Sequence, residues 1–191
     1  VGDVIRAVKL KSGNVKGHFL LSRLHYKTGD REEALKSIRE AVKLDDNFKE
    51  AMDFYKMLKK FNKVMVKLQK SFEQRRMSDV IQEVQKAREL EMEKTFVYQD
   101  ELNEKLCKAL KALSKVEEAM EACNVTIALN PKSIEAYIVR SEIYQDKGEF
   151  QSAIDDLKVA DGIEENNQRI KELVQKAEKL LKQSMKRDYY K

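Results

Sequence analysis

Apolar residues recur every three or four positions along almost the whole chain, which is the spacing of amphipathic helices. Short stretches around Gly29, Ser114 and Gly148 interrupt this pattern and predict turns between antiparallel helices. The clearest pair lies in residues 131–160, where small, apolar and turn residues alternate at fixed offsets: Tyr137, Ser141, Tyr144, Gly148, Phe150, Ala153, Leu157 and Ala160. Because small side chains let two helices approach closely, this stretch predicts a tight helical hairpin.

These offsets are those of the tetratricopeptide repeat, a helix–turn–helix unit of 34 residues. A similar set recurs in residues 15–46, with Leu21, Ser22, Ala34 and Ala41 in the corresponding positions. A single hairpin leaves an apolar face exposed, so such hairpins stack on one another. The sequence therefore predicts an all-α fold, a right-handed superhelix of antiparallel helical hairpins with a long connecting helix and a C-terminal capping helix.

The repeat period slips twice, and the slips predict the domain organisation. Val80 lies 46 residues after Ala34, and Ala119 lies 39 residues after Val80. The first slip falls in a stretch without proline or glycine, which predicts one continuous helix. We expect the end of one repeat plus one full repeat in residues 1–48, a long helix joining two repeat bundles in 49–73, the remainder of a degenerate repeat and two further repeats in 74–166, a capping helix in 167–186, and a separate stretch in 187–191.

Two turns of the predicted array lack glycine. Arg75 and Ser114 occupy the turn positions that Gly29 and Gly148 hold in the other repeats. The repeat that contains Arg75 is therefore degenerate. The second slip predicts five inserted residues in lengthened helices around residues 91–100.

Composition and charge narrow the function classes. Of the 191 residues, 37% are charged and one is proline, which favours thin exposed helices over a thick globule. The formal net charge is +5 without a block of like charge, so we expect no nucleic-acid binding. No apolar run approaches the roughly 18 residues of a membrane span, and we expect no membrane partner. No signal peptide pattern opens the chain, and both ends look truncated.

Four stretches resemble one chaperone family. They are residues 7–10, residues 24–30 with 42–45, residues 59–63, and residues 180–191. The last stretch contains Asp188, Tyr189 and Tyr190, which resemble the opening of a DnaJ-type J domain. The chain resembles the endoplasmic-reticulum DnaJ-type co-chaperones with tetratricopeptide repeats, also named as inhibitors of the interferon-induced protein kinase. It resembles a fragment that lacks the J domain and the N-terminal repeats, with the start of a truncated J domain in residues 187–191.

The resemblance implies a function. Members of this family hold unfolded polypeptide on their repeats and pass it to BiP, whose ATPase the J domain stimulates, within the unfolded protein response. Stimulation requires a His-Pro-Asp tripeptide, and neither His18 nor His25 is followed by proline. We expect a repeat region that binds unfolded or partner polypeptide and positions a J domain in the endoplasmic-reticulum lumen. The alternatives are a cytoplasmic location, and a scaffold or protein-kinase regulator that binds one folded partner.

Cys107 and Cys123 are the two cysteines of the chain. The repeat positions place them on facing sides of two antiparallel helices, which allows the Cβ separation of ~4 Å that a disulfide requires. The same positions suit two small buried thiols, which a cytosolic protein would keep reduced. The family has cysteines at matching positions, so the resemblance to a luminal protein implies a disulfide.

The first helices of stacked repeats predict a concave face that binds peptide. Its N-terminal part is apolar and basic, and six residues are the candidates: Phe19, Arg23, Tyr26, Met65, Gln69 and Phe72. Aromatic and methionine side chains adapt to different apolar peptides. The alternative is that Met65 and Phe72 belong to the core of the long helix. The C-terminal part, around Ile138 and Glu142, is more acidic and a weaker candidate.

Other sites find little support in the sequence. Phe19, Arg23, Glu104 and Glu142 stand where the carboxylate clamp of repeat proteins that bind chaperone tails needs other residues. His18 and His25 lack neighbours with metal-ligand spacing, so we expect no enzyme, no cofactor and no metal. The glycosylation sequon at residues 124–126 places a threonine at a buried helix position, so we expect it to remain unmodified.

Overall fold

The computed structural model describes residues 2, 6, 13–90 and 96–189, with the backbone alone for residues 96, 97 and 188. Within these ranges the chain forms nine helices and no strand. The helices are α1 (Val15–Lys27), α2 (Arg31–Leu44), α3 (Lys49–Glu73), α4 (Met77–Leu90), α5 (Phe96–Ala112), α6 (Val116–Leu129), α7 (Ile134–Lys147), α8 (Phe150–Ile163) and α9 (Gln168–Tyr189). The predicted all-α fold class is confirmed. Most of residues 1–12, the predicted end of one repeat, lies outside the described residues, as do residues 91–95 of the predicted insertion.

Small residues bring the paired helices together. In the first hairpin, Ser22 of α1 and Ala34 of α2 are both completely buried, and the Ser22 Oγ donates a hydrogen bond of 2.6 Å to the Ala34 carbonyl. In the hairpin of α7 and α8, Ser141 and Ala153 are buried in the same way. The Asp30 side chain accepts from the backbone N–H of Glu33 at 3.1 Å and caps the start of α2.

The turns between paired helices share one backbone conformation. Gly29, Arg75, Ser114 and Gly148 all have positive φ, with values of 87°, 55°, 57° and 79°. After Ser114 and Gly148 the chain closes the same two hydrogen bonds, such as Ser114 N–H to the Lys111 carbonyl and Lys115 N–H to the Leu110 carbonyl. The separations along the chain are 46, 39 and 34 residues. The first two separations equal the two irregular ones in the sequence, and the third equals the regular repeat length of 34 residues.

Glycine is expected to stabilise the two turns that lack it. A residue with a Cβ costs about 1–2 kcal/mol in the left-handed region, and glycine removes this cost. Glycine also increases the conformational entropy of the unfolded chain, which offsets part of the stabilisation. We expect Arg75→Gly and Ser114→Gly together to raise the free energy of unfolding by about 1 kcal/mol in urea titrations. Gln74→Gly is the matched control, because Gln74 has a φ of −81° and should lose ~0.5–1 kcal/mol. A loss of stability in Arg75→Gly as large as the control's would contradict the turn assignment.

The chain divides into two compact units. Unit 1 comprises Val1–Arg75 and Gln82–Gln99, and unit 2 comprises Arg76–Ile81 and Asp100–Lys191. The helix α3 has the bounds of the predicted long helix and lies wholly within unit 1. The division between the two units falls inside α4 and α5, and the joining of two repeat bundles by α3 stays a prediction.

A buried carboxylate joins α3 to α4 within unit 1. Glu83 is 2% exposed, and its Oε1 accepts from the Nζ atoms of Lys67 at 2.6 Å and Lys86 at 3.0 Å. Burial raises the pKa of Glu83, but the hydrogen bonds and charges of the two lysines outweigh burial and hold this pKa below its usual value. Glu83 is therefore ionised and paired at neutral pH.

The core of unit 2 ends on the capping helix. Ile170 and Ala177 of α9 are completely buried, and they pack with Tyr137, Ile154 and Leu157 of the preceding hairpin. Apolar residues at such spacing give α9 one buried side, as expected of a helix that closes a repeat array. The helix ends at Tyr189, three residues beyond the predicted limit of 186.

Arg140 links three helices of unit 2. Its guanidinium donates to both carboxylate oxygens of Asp156 on α8, at 2.8 and 2.7 Å, and to the Asn124 Oδ1 on α6 at 2.7 Å. The hydrogen bonds to Asp156 raise the pKa of Arg140 above its usual value. A bidentate pair of this kind is more specific than a single ion pair.

Candidate functional site

Tyr26, one of the predicted peptide-binding residues, lies at the centre of an aromatic cluster in unit 1. The residue is completely buried. Its ring centroid lies 5.7 Å from that of Phe54, 5.8 Å from that of Phe61 and 4.9 Å from that of Tyr98. Three rings from α3 and α5 therefore cover Tyr26, which removes it from any peptide-binding surface.

Met65, another of the six predicted peptide-binding residues, is also buried, which corrects its predicted role. It is 1% exposed and lies on the buried side of α3, one turn from Phe61 and Leu68, which are completely buried. Residues three or four apart share one side of a helix, so Met65 belongs to the same apolar side as its neighbours. The alternative that the sequence left open for Met65, a place in the core, is the one that the structure supports.

Four of the six predicted residues remain accessible. Phe19 and Arg23 lie one turn apart on α1, are both half-buried, and place the Arg23 guanidinium 6.0 Å from the Phe19 ring centroid. The Phe19 ring also packs edge-on against Phe48 at 5.2 Å and Phe54 at 6.0 Å. Gln69 is exposed and Phe72 is half-buried near the C-terminal end of α3. We call Phe19, Arg23, Gln69 and Phe72 the predicted peptide face, and its binding role stays a prediction. Its two parts lie at opposite ends of α3, because Phe19 packs against Phe54 and Phe72 lies about 27 Å further along the helix.

Unit 2 carries a groove of about 470 Å³ at the C-terminal part of the predicted concave face. Charged residues from three helices line it, together with Ile138 and Val139. The charged lining residues are Lys108, Lys111, Glu135, Glu142 and Arg169. The sequence ranked this part of the concave face lower, but here the structure forms a defined depression.

Ion pairs fix the side chains of this groove. The Glu135 carboxylate contacts the Arg169 guanidinium at 2.7 Å and the Lys108 Nζ at 3.3 Å, and Lys108 also contacts Glu104 at 2.8 Å. Burial raises the pKa of Glu135, but the hydrogen bond from Arg169 and the charges of Lys108 and Arg169 outweigh it, so the net shift is downward. The groove is therefore polar, and Glu135 within it is ionised and paired with two cations.

Sequence reasoning missed Arg169 as part of this groove. Arg169 lies on α9, 34 residues after Glu135, which is one full repeat period. An alignment that extended the repeat into the capping helix would have placed the two residues on neighbouring first helices. The capping helix thus keeps the repeat spacing at this position.

The two cysteines form a disulfide in the structure. It joins Cys107 of α5 to Cys123 of α6, with a Cα–Cα distance of 5.1 Å. Both residues are completely buried and pack with Leu110, Val139 and Ile143. The bond therefore fastens the two helices of one repeat inside the core of unit 2.

The sequon lies in a regular helix. The Asn124 side chain is engaged by Arg140, and Thr126 is completely buried with its Oγ1 donating to the Ala122 carbonyl at 2.8 Å. Asn124 itself is exposed, so the folded helix withholds the buried Thr126 hydroxyl from a glycosylation enzyme and leaves Asn124 accessible. That residues 124–126 remain unmodified stays a prediction.

The predicted junction lies at the end of α9. Tyr189 is the last residue of this helix and is 84% exposed. Asp188 lies within the helix, and Tyr190 lies outside the described residues. The helix therefore continues into the first residues of the stretch that resembles a J domain.

The histidines and carboxylates of the described residues do not cluster around a metal position. No group of three or more His, Cys, Asp or Glu side chains among them could hold a metal ion. The His25 side chain is 18% exposed, with its Nδ1 4.0 Å from the Asp30 carboxylate. No helix in the described ranges has the length and apolarity to cross a membrane. Glu104 and Glu142 stand where a carboxylate clamp would need other residues. In the structure, Glu104 pairs with Lys108 and Glu142 lines the groove of unit 2.

Comparison with known proteins places the fold. The sequence profile of the tetratricopeptide repeat matches residues 15–48, which form α1, α2 and the turn that leads into α3. The crystal structure of the P58(IPK) TPR domain at 2.5 Å superposes with a TM-score of 0.87 and 31% sequence identity, over 96% of this chain and 51% of that chain. The predicted tetratricopeptide-repeat architecture is thereby confirmed.

A more distant repeat structure contains a chaperone peptide. The first TPR of Spaghetti (RPAP3) bound to HSP90 peptide SRMEEVD superposes with a TM-score of 0.56 and 23% identity, over 64% of this chain and 94% of that chain. At this identity the likeness concerns the fold alone.

Similarity to known sequences extends over the whole chain. DnaJ homolog subfamily C member 3 of Gallus gallus is 34% identical over all 191 residues. The tetratricopeptide repeat and J domain-containing co-chaperone DNJ1 of Mycosarcoma maydis is 34% identical over 92 residues, which are 48% of this chain and 16% of that protein. The chain spans 38% of the length of the chicken relative. The relatives are co-chaperones, a non-enzymatic family, which agrees with the prediction that the chain is not an enzyme. The chain is thus a tetratricopeptide-repeat homologue of DnaJ homolog subfamily C member 3.

Proposed function

We propose that this chain is the repeat region of a co-chaperone that binds unfolded or partner polypeptide and positions a J domain for hand-over to BiP in the endoplasmic-reticulum lumen. The observation that carries the proposal is the 34% identity to DnaJ homolog subfamily C member 3 over the whole chain. Hand-over is proposed for the whole protein, and polypeptide binding for this region. A scaffold or protein-kinase regulator remains the alternative.

The predicted peptide face is the proposed site of polypeptide binding. Phe19 and Phe72 offer partly exposed rings, Arg23 adds a positive charge 6.0 Å from the Phe19 ring centroid, and the exposed Gln69, whose Nε2 donates to Glu73 at 2.8 Å, adds a carbonyl oxygen that can accept from a peptide N–H. Exposed aromatic area favours apolar segments, which unfolded proteins expose and folded ones bury. Such a surface would bind unrelated unfolded proteins with little sequence preference.

The capping helix supports the positioning role. Its first half is anchored in unit 2 through Ile170 and Ala177, and the helix runs without a break to Tyr189. A continuous helix transmits orientation, whereas a flexible linker does not. A J domain that continues from α9 would therefore leave unit 2 in a fixed direction.

The disulfide supports the luminal location. Disulfides persist in oxidising compartments such as the endoplasmic-reticulum lumen and are rare in the cytosol. The bond between Cys107 and Cys123 is buried, where small reductants have little access. A luminal protein would therefore keep this bond throughout its lifetime.

Aggregation assays test the proposal. We expect the 191-residue chain to suppress light scattering of several unrelated chemically denatured enzymes at stoichiometric concentration, because its surface recognises exposed apolar segments. Serum albumin at the same mass concentration is the control for crowding and nonspecific adsorption. Suppression of none of the enzymes would overturn polypeptide binding. Capture of a single folded protein from a lysate, without suppression, would favour the scaffold alternative.

A further inference from the structure

One side of α3 carries a row of lysines, which we call the lysine stripe: Lys56, Lys59, Lys60, Lys63, Lys67 and Lys70. All six side chains are exposed. At 3.6 residues per turn they fall within an arc of about 100° and extend for ~21 Å along the helix. Phe54, Phe61 and Leu68 lie buried on the opposite side. The charges look evenly spread in the sequence, but helical spacing gathers them on one surface.

The stripe has few acidic neighbours. Lys67 pairs with Glu83 at 2.6 Å, whereas the other five lysines have no carboxylate within 4.0 Å among the described residues. Residues 54–72 contain no Asp or Glu, and Asp53 and Glu73 mark the two ends of the stripe. Like charges three or four residues apart repel one another and weaken a helix. The stripe therefore has an electrostatic cost that an acidic partner would relieve.

The width and length of the lysine stripe favour one class of acidic partner over a membrane surface or a nucleic acid. A membrane-surface helix inserts an apolar side into the lipid, but the apolar side of α3 is buried in unit 1. Duplex nucleic acid is about twice as wide as a helix and carries charge along its whole length. The stripe is one helix wide, and carboxylates at Asp53 and Glu73 limit it at both ends. Its width and length match a short polypeptide segment.

We propose that the lysine stripe binds an acidic segment of a partner protein. The segment would place carboxylates opposite the lysines, over about 14 residues if helical or ~6 residues if extended. This inference goes beyond the proposed function, because the stripe lies on a different side of α3 from Gln69 and Phe72. The predicted peptide face recognises apolar segments, whereas the stripe recognises charge.

A defined peptide tests the proposal. The probe is a fluorescein-labelled 14-residue helical peptide with Glu at every third or fourth position, followed by anisotropy at 50 and 300 mM NaCl. We expect Lys59→Gln/Lys63→Gln/Lys70→Gln to raise the dissociation constant at least tenfold, and higher salt to weaken binding to the parent chain. Lys158→Gln/Lys176→Gln/Lys179→Gln removes the same charge from exposed sites of unit 2, and should change binding less than twofold.

Three further readouts keep the test decisive. The glutamine variant of the stripe should melt at or above the temperature of the parent chain, because it loses repulsion, and the equivalent arginine variant should retain binding. The glutamine variant should still suppress aggregation. Binding of acidic peptide by the stripe and binding of unfolded polypeptide by the predicted peptide face can therefore fail independently. Absence of peptide binding at 50 mM NaCl, or an equal loss in the unit 2 control, would overturn the inference. So would a 14-base-pair DNA duplex that binds more tightly than the peptide and depends on the same lysines.

Discussion

Replacing Tyr26 with alanine is expected to cost about 3–5 kcal/mol of unfolding free energy, which is typical of large aromatic residues removed from a core. Tyr26 is completely buried and contacts the rings of Phe54, Phe61 and Tyr98. Its removal leaves a cavity at the point where α1, α3 and α5 meet. Urea titration followed by circular dichroism measures the loss.

Two variants serve as controls for this prediction. Tyr26→Phe keeps the ring and should lose much less than the alanine variant. Tyr189→Ala removes the same side chain from a site that is 84% exposed, and should change stability by less than ~0.5 kcal/mol. If Tyr26→Ala behaved like Tyr189→Ala, then Tyr26 would have to lie on the surface, as the sequence prediction of a peptide-binding role had it.

Reduction of the disulfide is expected to lower the stability of unit 2 by roughly 3 kcal/mol. The bond closes a loop with a sequence separation of 16, and a cross-link of that length restricts the unfolded chain by about this amount. The measurement is the free energy of unfolding in urea, with and without dithiothreitol.

The control for reduction is the variant Cys107→Ala/Cys123→Ala. It should be insensitive to dithiothreitol and resemble the reduced parent chain, apart from small packing changes around Val139 and Ile143. Thiol labelling of the unreduced, denatured parent chain gives an independent readout. Uptake of reagent by both cysteines, or equal stability with and without reductant, would refute the bond.

The sequence predicted the helices and turns well, because these depend on local rules. Residues 49–73 lack proline and glycine and repeat their apolar positions, and α3 has these bounds. Arg75 and Ser114 were assigned to turns from repeat spacing alone, and both have positive φ. Local spacing is sufficient for such features, since the backbone geometry of a hairpin is set by residues near one another in the chain.

The burial of Tyr26 was not predictable from repeat positions, and the sequence left the burial of Met65 open. A repeat position indicates which side of its own helix a residue occupies. It does not indicate whether a neighbouring helix covers that side. Tyr98 of the lengthened α5 lies over Tyr26, and this contact depends on an irregular part of the array. Where the repeat spacing is irregular, the sequence does not indicate which neighbouring helix covers a given repeat position.

The groove and the lysine stripe depend on tertiary placement in different ways. Arg169 reaches Glu135 because α9 packs where the first helix of another repeat would lie. The lysine stripe does not stand out in the sequence, because its residues are interspersed with buried ones and form no block of like charge. In both cases the sequence contains the periodicity: 34 residues separate Glu135 from Arg169, and the lysines of α3 recur every three or four residues.

The most direct test of the central claim is the dissociation constant for a permanently unfolded protein, reduced and carboxymethylated lactalbumin, measured by fluorescence anisotropy. Phe19→Ser/Phe72→Ser removes the rings of the predicted peptide face. Leu113→Ser/Val159→Ser is the matched control, because these residues of unit 2 are 39% and 44% exposed. Circular dichroism confirms that each variant is folded. We expect saturable binding to the parent chain that weakens several-fold in the first variant alone. No binding, or equal weakening in both variants, would contradict it.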